Sequence, residues 1–118
     1  MHFTAHSVSG SGRGKDLKVP TINLDMSEVP AGIEDGLYAC TINSDIPAIL
    51  HYGIRPTFED TPSCEVHIID ADIADAPHEV TVEIVQKIRE TKKFDSAEEL
   101  MEQMQKDISS ARGILGIA

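Results

Sequence analysis

The sequence predicts a mainly β protein, a small antiparallel barrel with one C-terminal α-helix packed on it. Three observations carry that prediction. Short β-branched or alternating segments recur through the first three quarters of the chain. Turn-forming stretches rich in Gly, Pro, Ser, Asn and Asp separate them. The last quarter then changes to a helical period behind a capping box, Ser96 followed by Glu99. At 118 residues there is material for one modest core, so residues 1–118 are read as a single domain.

Taken in order, Phe3–Val8 is the first strand, and "SGSGRG" breaks the pattern after it. Beyond Pro20, the β-branched Thr21 and Ile22 point to an extended segment through Leu24. "SEVPAGIEDG" leads to Leu37–Ile42, "NSD" turns into Ile46–Tyr52, and "RPTFEDTP" precedes Cys64–Ile69. "DIADAP" comes before the last strand, Val80–Ile88. Five or six strands on short turns favour an antiparallel sheet that closes or curls into a barrel. In "FDSAEELMEQMQKDISSARG", Ala97, Leu100, Met101, Met104, Ile108 and Ala111 share one helical face, with Gly113 as the expected stop. This Met-rich stripe is read as core packing, which leaves function to the loops and strand ends.

Composition removes several classes of function. No apolar run approaches the ~20 residues that cross a bilayer. The start, MHFTAHSVSG, has neither the basic opening nor the apolar stretch of a signal peptide, so a cytoplasmic protein is expected. Cys40 and Cys64 are the only cysteines and read as half-buried thiols, and the five His are scattered without zinc-site spacing. A net charge of −10 argues against nucleic acid and anionic membranes as partners. Yet seven of the ten cations fall in two windows, Arg13–Lys18 and Lys87–Lys93. Two positive spots on a negative body suit a small polyanion such as a nucleotide phosphate tail. Two solvated charge runs are the plainer alternative.

Three constellations have chemical potential. "GSGRGK" is neither a P-loop nor a dinucleotide fingerprint, because Gly10, Gly12 and Gly14 have the wrong spacing. Bare backbone N–H groups there, with Lys15 beside them, could still form an anion-binding nest; a surface turn is the simpler reading. In "VPTINL", Ile22 and Leu24 anchor one face, and Thr21 and Asn23 offer neutral oxygen donors on the other. Such donors suit a Mg²⁺ ion that arrives with a nucleotide and takes its other ligands from water and phosphate. In "SCEVHII", Glu65 and His67 alternate with Cys64, Val66 and Ile68. A carboxylate there is expensive to bury unless it serves a cleft, where partial burial would raise its pKa towards that of a useful base. "KIRETKKFDS" places Arg89 and Phe94 near the helix cap, as phosphate or ring contacts or as solvated and packing residues.

In this order, these stretches resemble the flavokinase (riboflavin kinase) family, the domain also found as the C-terminal half of bacterial bifunctional riboflavin kinase/FAD synthetases. The motifs are the glycine-rich start with Lys15, "PTIN" at 20–23, "DGLYAC" at 35–40, "GIRPTF" at 53–58, "CEVHIID" at 64–70 and "IRETKKFDSAEEL" at 88–100. The resemblance implies a six-stranded Greek-key barrel that transfers the ATP γ-phosphoryl group to the ribityl 5′-hydroxyl of riboflavin, giving FMN and ADP. It implies that Thr21 and Asn23 hold Mg²⁺ and phosphate oxygens, that Gly10, Gly12, Gly14 and Lys15 close over the nucleotide, that Glu65 is the base, and that Arg89 belongs to the flavin-side loop. Two departures lie nearer the flavin. "IADAPHEV" stands where family members carry an aromatic-glycine pair, and Thr91 stands where a glutamate is common. They motivate an alternative, a catalytically weak flavin- or nucleotide-binding barrel with a regulatory or carrier role. The 118 residues include no nucleotidyltransferase segment, so FMN rather than FAD is the expected product, from a monomer.

Overall fold

Alternation of core-facing and outward-facing residues recurs through the strands, and the architecture follows from it. A computed structural model describes residues 1–8, 21–54, 62–69, 78–91 and 95–117. Six strands, β1 (His2–Val8), β2 (Thr21–Leu24), β3 (Gly36–Ile42), β4 (Ile46–Ile54), β5 (Pro62–Ile68) and β6 (Glu79–Arg89), precede one α-helix, α1 (Ala97–Leu115). The strands close into a barrel in the order β1-β2-β5-β4-β3-β6, with every neighbouring pair antiparallel. β3, β4 and β5 form a meander and β6 returns beside β3, which is a Greek key. The expected fold class is the observed one. The glycine-rich stretch with Gly10, Gly12, Gly14 and Lys15, residues 55–58, "IADAP" and Phe94 lie outside the described residues.

Closure depends on β6. Its first half, Glu79–Glu83, pairs with β1, while Val82–Arg89 pairs with β3. Two register shifts opposite β3, at Leu37/Tyr38 and Ala39/Cys40, add the bend that lets one strand serve both neighbours. The β3–β4 turn supports it from outside. Asn43 and Ser44 both take positive φ, and Asn43 exchanges bonds with Thr81 of β6, N to O at 2.8 Å and Oδ1 from N at 3.1 Å.

One face of each strand fills the interior. Phe3, Ala5, Ile22, Leu24, Cys40, Ile42, Leu50, Val66, Val80 and Val82 form this core together with Tyr38, Ala48, Cys64 and Ile68. Cys40 and Cys64 are fully buried rather than half-buried, and burial pushes each thiol up to about 12, so neither is a nucleophile near neutrality. A smaller cluster, Leu37, Ala39, Ile49, Ile69 and Ala111, lies outside the barrel wall, where α1 covers β3 and β4. At Gly53, φ is +133°, and an added Cβ would come within 2.8 Å of the Asp35 carboxyl carbon. The bare backbone of β4 is thus what admits the turn before β3.

The helix departs from expectation in two respects. Gly113 does not end it; Gly116, at φ 71°, is the left-handed cap, and its N–H reaches back to Arg112 and Gly113 carbonyls. The packed face is also shifted towards the C-terminal half. Ala111, Ile108, Ile114 and Leu115 meet the barrel, while Ala97 is exposed and Met101 and Met104 are only half-buried. The N-terminus matches the capping box on one side, with Glu99 N–H donating to Ser96 Oγ at 3.1 Å. The returning Glu99 carboxylate accepts from Asp95 N–H rather than from the cap itself.

The exit of β2 is pinned to β1 by a short 3₁₀ turn, Met26–Glu28. His6 N–H donates to Glu28 Oε1 at 2.9 Å, and His6 Nδ1 lies 2.9 Å from both Glu28 oxygens. The hydrogen bond and then the charge of Glu28 raise the His6 pKa above the ordinary 6.5 against an opposing desolvation, and the charges of Glu79 and Asp25 add to the rise. Bonds from His6 lower Glu28 below 4.5. A raised histidine contributes stability below its unfolded pKa and loses it as pH rises through the folded value. A lowered glutamate contributes above its unfolded pKa and loses it in acid. The clamp is therefore strongest between those two ordinary values. His6→Ala should lower the melting temperature measurably at about pH 5.5 and much less at about pH 8.5, in thermal scans of both proteins.

Candidate active site on the outer barrel wall

Because Ile22, Val66 and Leu50 point inward, their neighbours Asn23, Glu65 and His51 point outward. Backbone register sets these three side by side. Asn23 on β2 is directly opposite Glu65 on β5, and Glu65 is directly opposite His51 on β4. Directly opposed residues have Cβ atoms about 5 Å apart, so an amide, a carboxylate and an imidazole form one continuous row. The row continues through Leu37 on β3 to Arg89 on β6. A parallel row, two residues along, pairs the Thr21 backbone with His67 and His67 with Ile49. Helix α1 packs on the Leu37, Ala39 and Ile49 end of these rows.

Glu65 is 4% exposed although it stands on the outer wall, while Asn23, His51 and His67 are half-buried. A carboxylate so placed is desolvated without being part of the apolar core. Ser63, two residues before Glu65 on the same face, has a buried Oγ that meets no hydrogen-bond partner among the described residues. His51 and Ser63 escaped the sequence reading, although alternation with Leu50 and Cys64 would have assigned both to the Glu65 face. The Thr21 side chain, like the glycine-rich stretch with Lys15, lies outside the described set. Asn23 and Glu65 are thus brought together, and Arg89 is at the far end of their row.

Arg89 has a separate anchor. Its Nε and Nη2 donate to Asp107 Oδ1 and Oδ2, each at 2.8 Å, and Nη1 donates to the Glu90 carbonyl at 2.9 Å. Gln103 Nε2 donates to Asp107 Oδ1 at 3.0 Å. Asp107 is 2% exposed, on the packed side of α1. Asp107 was not singled out from the sequence, yet its position four before Ala111 puts it on the buried face. Lys87 is also engaged, with Nζ 2.7 Å from Glu90 Oε1 and 3.3 Å from Glu34 Oε2. The cationic window at 87–93 is therefore matched by carboxylates at both of its described cations.

The chain is similar to known proteins along most of its length. Residues 1–115 match the sequence model of the flavokinase family, described as riboflavin kinase. Human riboflavin kinase is 35% identical over 115 residues, which is 89% of this chain and 74% of that protein. The RNA-binding riboflavin kinase RibR of Bacillus subtilis (strain 168) is 31% identical over 107 residues, 86% of this chain and 46% of RibR. The bifunctional riboflavin kinase/FMN adenylyltransferase of the same strain is 28% identical over 111 residues, and the chain spans 35% of its length. Among solved structures, a Streptococcus pneumoniae chain described as a macrolide-efflux protein superposes with a TM-score of 0.80 at 27% identity, over 94% of this chain and 38% of that one.

The ion pair has a direct consequence for stability. Removing one partner of a buried pair strands the other charge, which costs about 3–5 kcal/mol, whereas an apolar pair of similar volume is close to neutral. Arg89→Ala should therefore lose about 3–5 kcal/mol in urea denaturation, and Arg89→Met combined with Asp107→Leu should recover most of it.

Proposed function

Since the chain belongs to the riboflavin kinase family, we propose that it transfers the γ-phosphoryl group of ATP to the ribityl 5′-hydroxyl of riboflavin, with FMN and ADP as products. The observation that supports this reading best is the direct opposition of Asn23 and Glu65 on one outward face. Phosphoryl transfer requires positioning and charge neutralisation more than covalent chemistry. A neutral oxygen donor next to a carboxylate supplies both a place for phosphate and metal and a proton acceptor.

In this reading the riboflavin hydroxyl oxygen attacks the γ-phosphorus, the bond to the β–γ bridging oxygen breaks, and ADP leaves with that electron pair. Glu65 accepts the hydroxyl proton. Its burial on the wall keeps competing water away, and the strand backbone on both sides limits its movement. Asn23, with Thr21 two residues before it, offers the hard, uncharged oxygens that suit a hydrated magnesium ion bound together with ATP. Bound there, Mg²⁺ would screen the phosphate charge that an acidic protein otherwise repels. Gly10, Gly12, Gly14 and Lys15 are proposed to contact the nucleotide from the other side, and Arg89 to belong to the flavin side.

Incubation with riboflavin and Mg·ATP, followed by chromatography, should yield FMN, and Glu65→Gln should slow its formation about 100- to 10,000-fold. Absence of FMN from the unaltered protein would refute the assignment. Asn23→Ala should lower kcat about 100- to 1,000-fold, the range for loss of one charge-stabilising group, with an unchanged circular dichroism spectrum. If that variant unfolds, the side chain is structural instead.

A further inference from the structure

An ion pair stands where the helix and β6 could have met through two apolar residues. Asp107 lies on the packed side of α1 with Ala111 and Ile108, which pack on the barrel. An ionic pair in such a place gives little net stability compared with hydrophobic residues of like volume. What it does give is orientation, because a carboxylate accepting both prongs of a guanidinium fixes its plane. Here Asp107 holds Nε and Nη2 of Arg89, Gln103 holds Asp107 from one helical turn earlier, and the remaining prong, Nη1, grips the Glu90 carbonyl. The chain Gln103–Asp107–Arg89–Glu90 thus fixes the direction in which the polypeptide leaves β6.

We propose that Asp107, supported by Gln103, is a positioning residue for the flavin substrate, acting through Arg89 and the Glu90 carbonyl rather than touching substrate itself. This rests on the proposed reading, in which the segment leaving β6 is the flavin side of the site. The helix then has a second task besides covering the barrel, and the flavin and nucleotide halves of the site have separate supports. Asn23 and Glu65 are set by the β2–β5 register, and Arg89 is set by α1.

Three variants test it: Asp107→Asn, Gln103→Leu and, as a control, Ala111→Gly. The control loosens the same helix face without touching Arg89. Riboflavin affinity is read from flavin fluorescence in the presence of Mg·ADP, and KM for each substrate from FMN formation. Asp107→Asn should weaken riboflavin binding about tenfold, with KM for ATP held within about twofold. Gln103→Leu should act in the same direction by about threefold, and Ala111→Gly should leave riboflavin affinity unchanged. Riboflavin affinity unchanged in Asp107→Asn, or lowered equally by Ala111→Gly, overturns the inference and makes Asp107 purely structural. If Asp107→Asn does not fold, an unchanged affinity in Gln103→Leu overturns it equally. Failure of the unaltered protein to bind riboflavin or form FMN overturns the proposed reaction itself, and this inference with it.

Discussion

A six-stranded barrel has an interior just wide enough for its own side chains, and that constraint governs everything else in this molecule. The inward positions are occupied by Ile, Val, Leu, Ala and two thiols, with Tyr38 and Phe3 the largest groups in the cluster. With so few aromatic residues available, the core closes by many small contacts. Among the described residues, polar side chains that alternate with core positions stand on the outer wall and are positioned by the rigidity of the sheet. Asn23, His51, Ser63, Glu65 and His67 are of this kind.

A single helix then divides that wall. Where α1 lies against β3 and β4, the outward residues are Leu37, Ala39 and Ile49, and the wall is a second small core. On β2 and β5, away from the main contacts of α1 with β3, β4 and β6, the outward residues include Asn23 and Glu65. The same two rows of the barrel thus change from apolar to polar within two strand steps, about 10 Å. A carboxylate at that boundary is desolvated by the structure around it but still faces outward, which is the environment in which a general base is useful.

Alternation made most of this legible from sequence. Ile22 and Leu24 alternating with Asn23, and Cys64, Val66 and Ile68 alternating with Glu65 and His67, are enough to assign both faces correctly, because an unbulged strand has a period of two. Register is different. That Asn23 faces Glu65 across 42 positions of sequence follows from β2 pairing with β5, the far strand of the β3–β5 meander, and no local pattern contains that information. Asp107 was obscured for a third reason. Helical periodicity is read from apolar residues, so a buried acid counts as evidence of an exposed face until its arginine partner is known. The true stop at Gly116 was missed because Gly113, a permissible interior residue at modest cost, comes first.

Under the proposed reaction, an acidic chain with a net charge of −10 must accept a nucleotide that is itself strongly negative. A ligand set of aspartates would hold a metal permanently and add further negative charge to the approach. Uncharged oxygens such as those of Asn23 bind a hard cation weakly by themselves, so metal and phosphate neutralise one another before or as they arrive. In the proposed reading, the one carboxylate in the row, Glu65, serves the hydroxyl rather than the ion. The cations at 87 and 89 are meanwhile occupied by Glu34, Glu90 and Asp107. In the proposed reading they contribute shape to the flavin side rather than net charge, and the electrostatic demand of ATP would fall to the metal it brings and to Lys15.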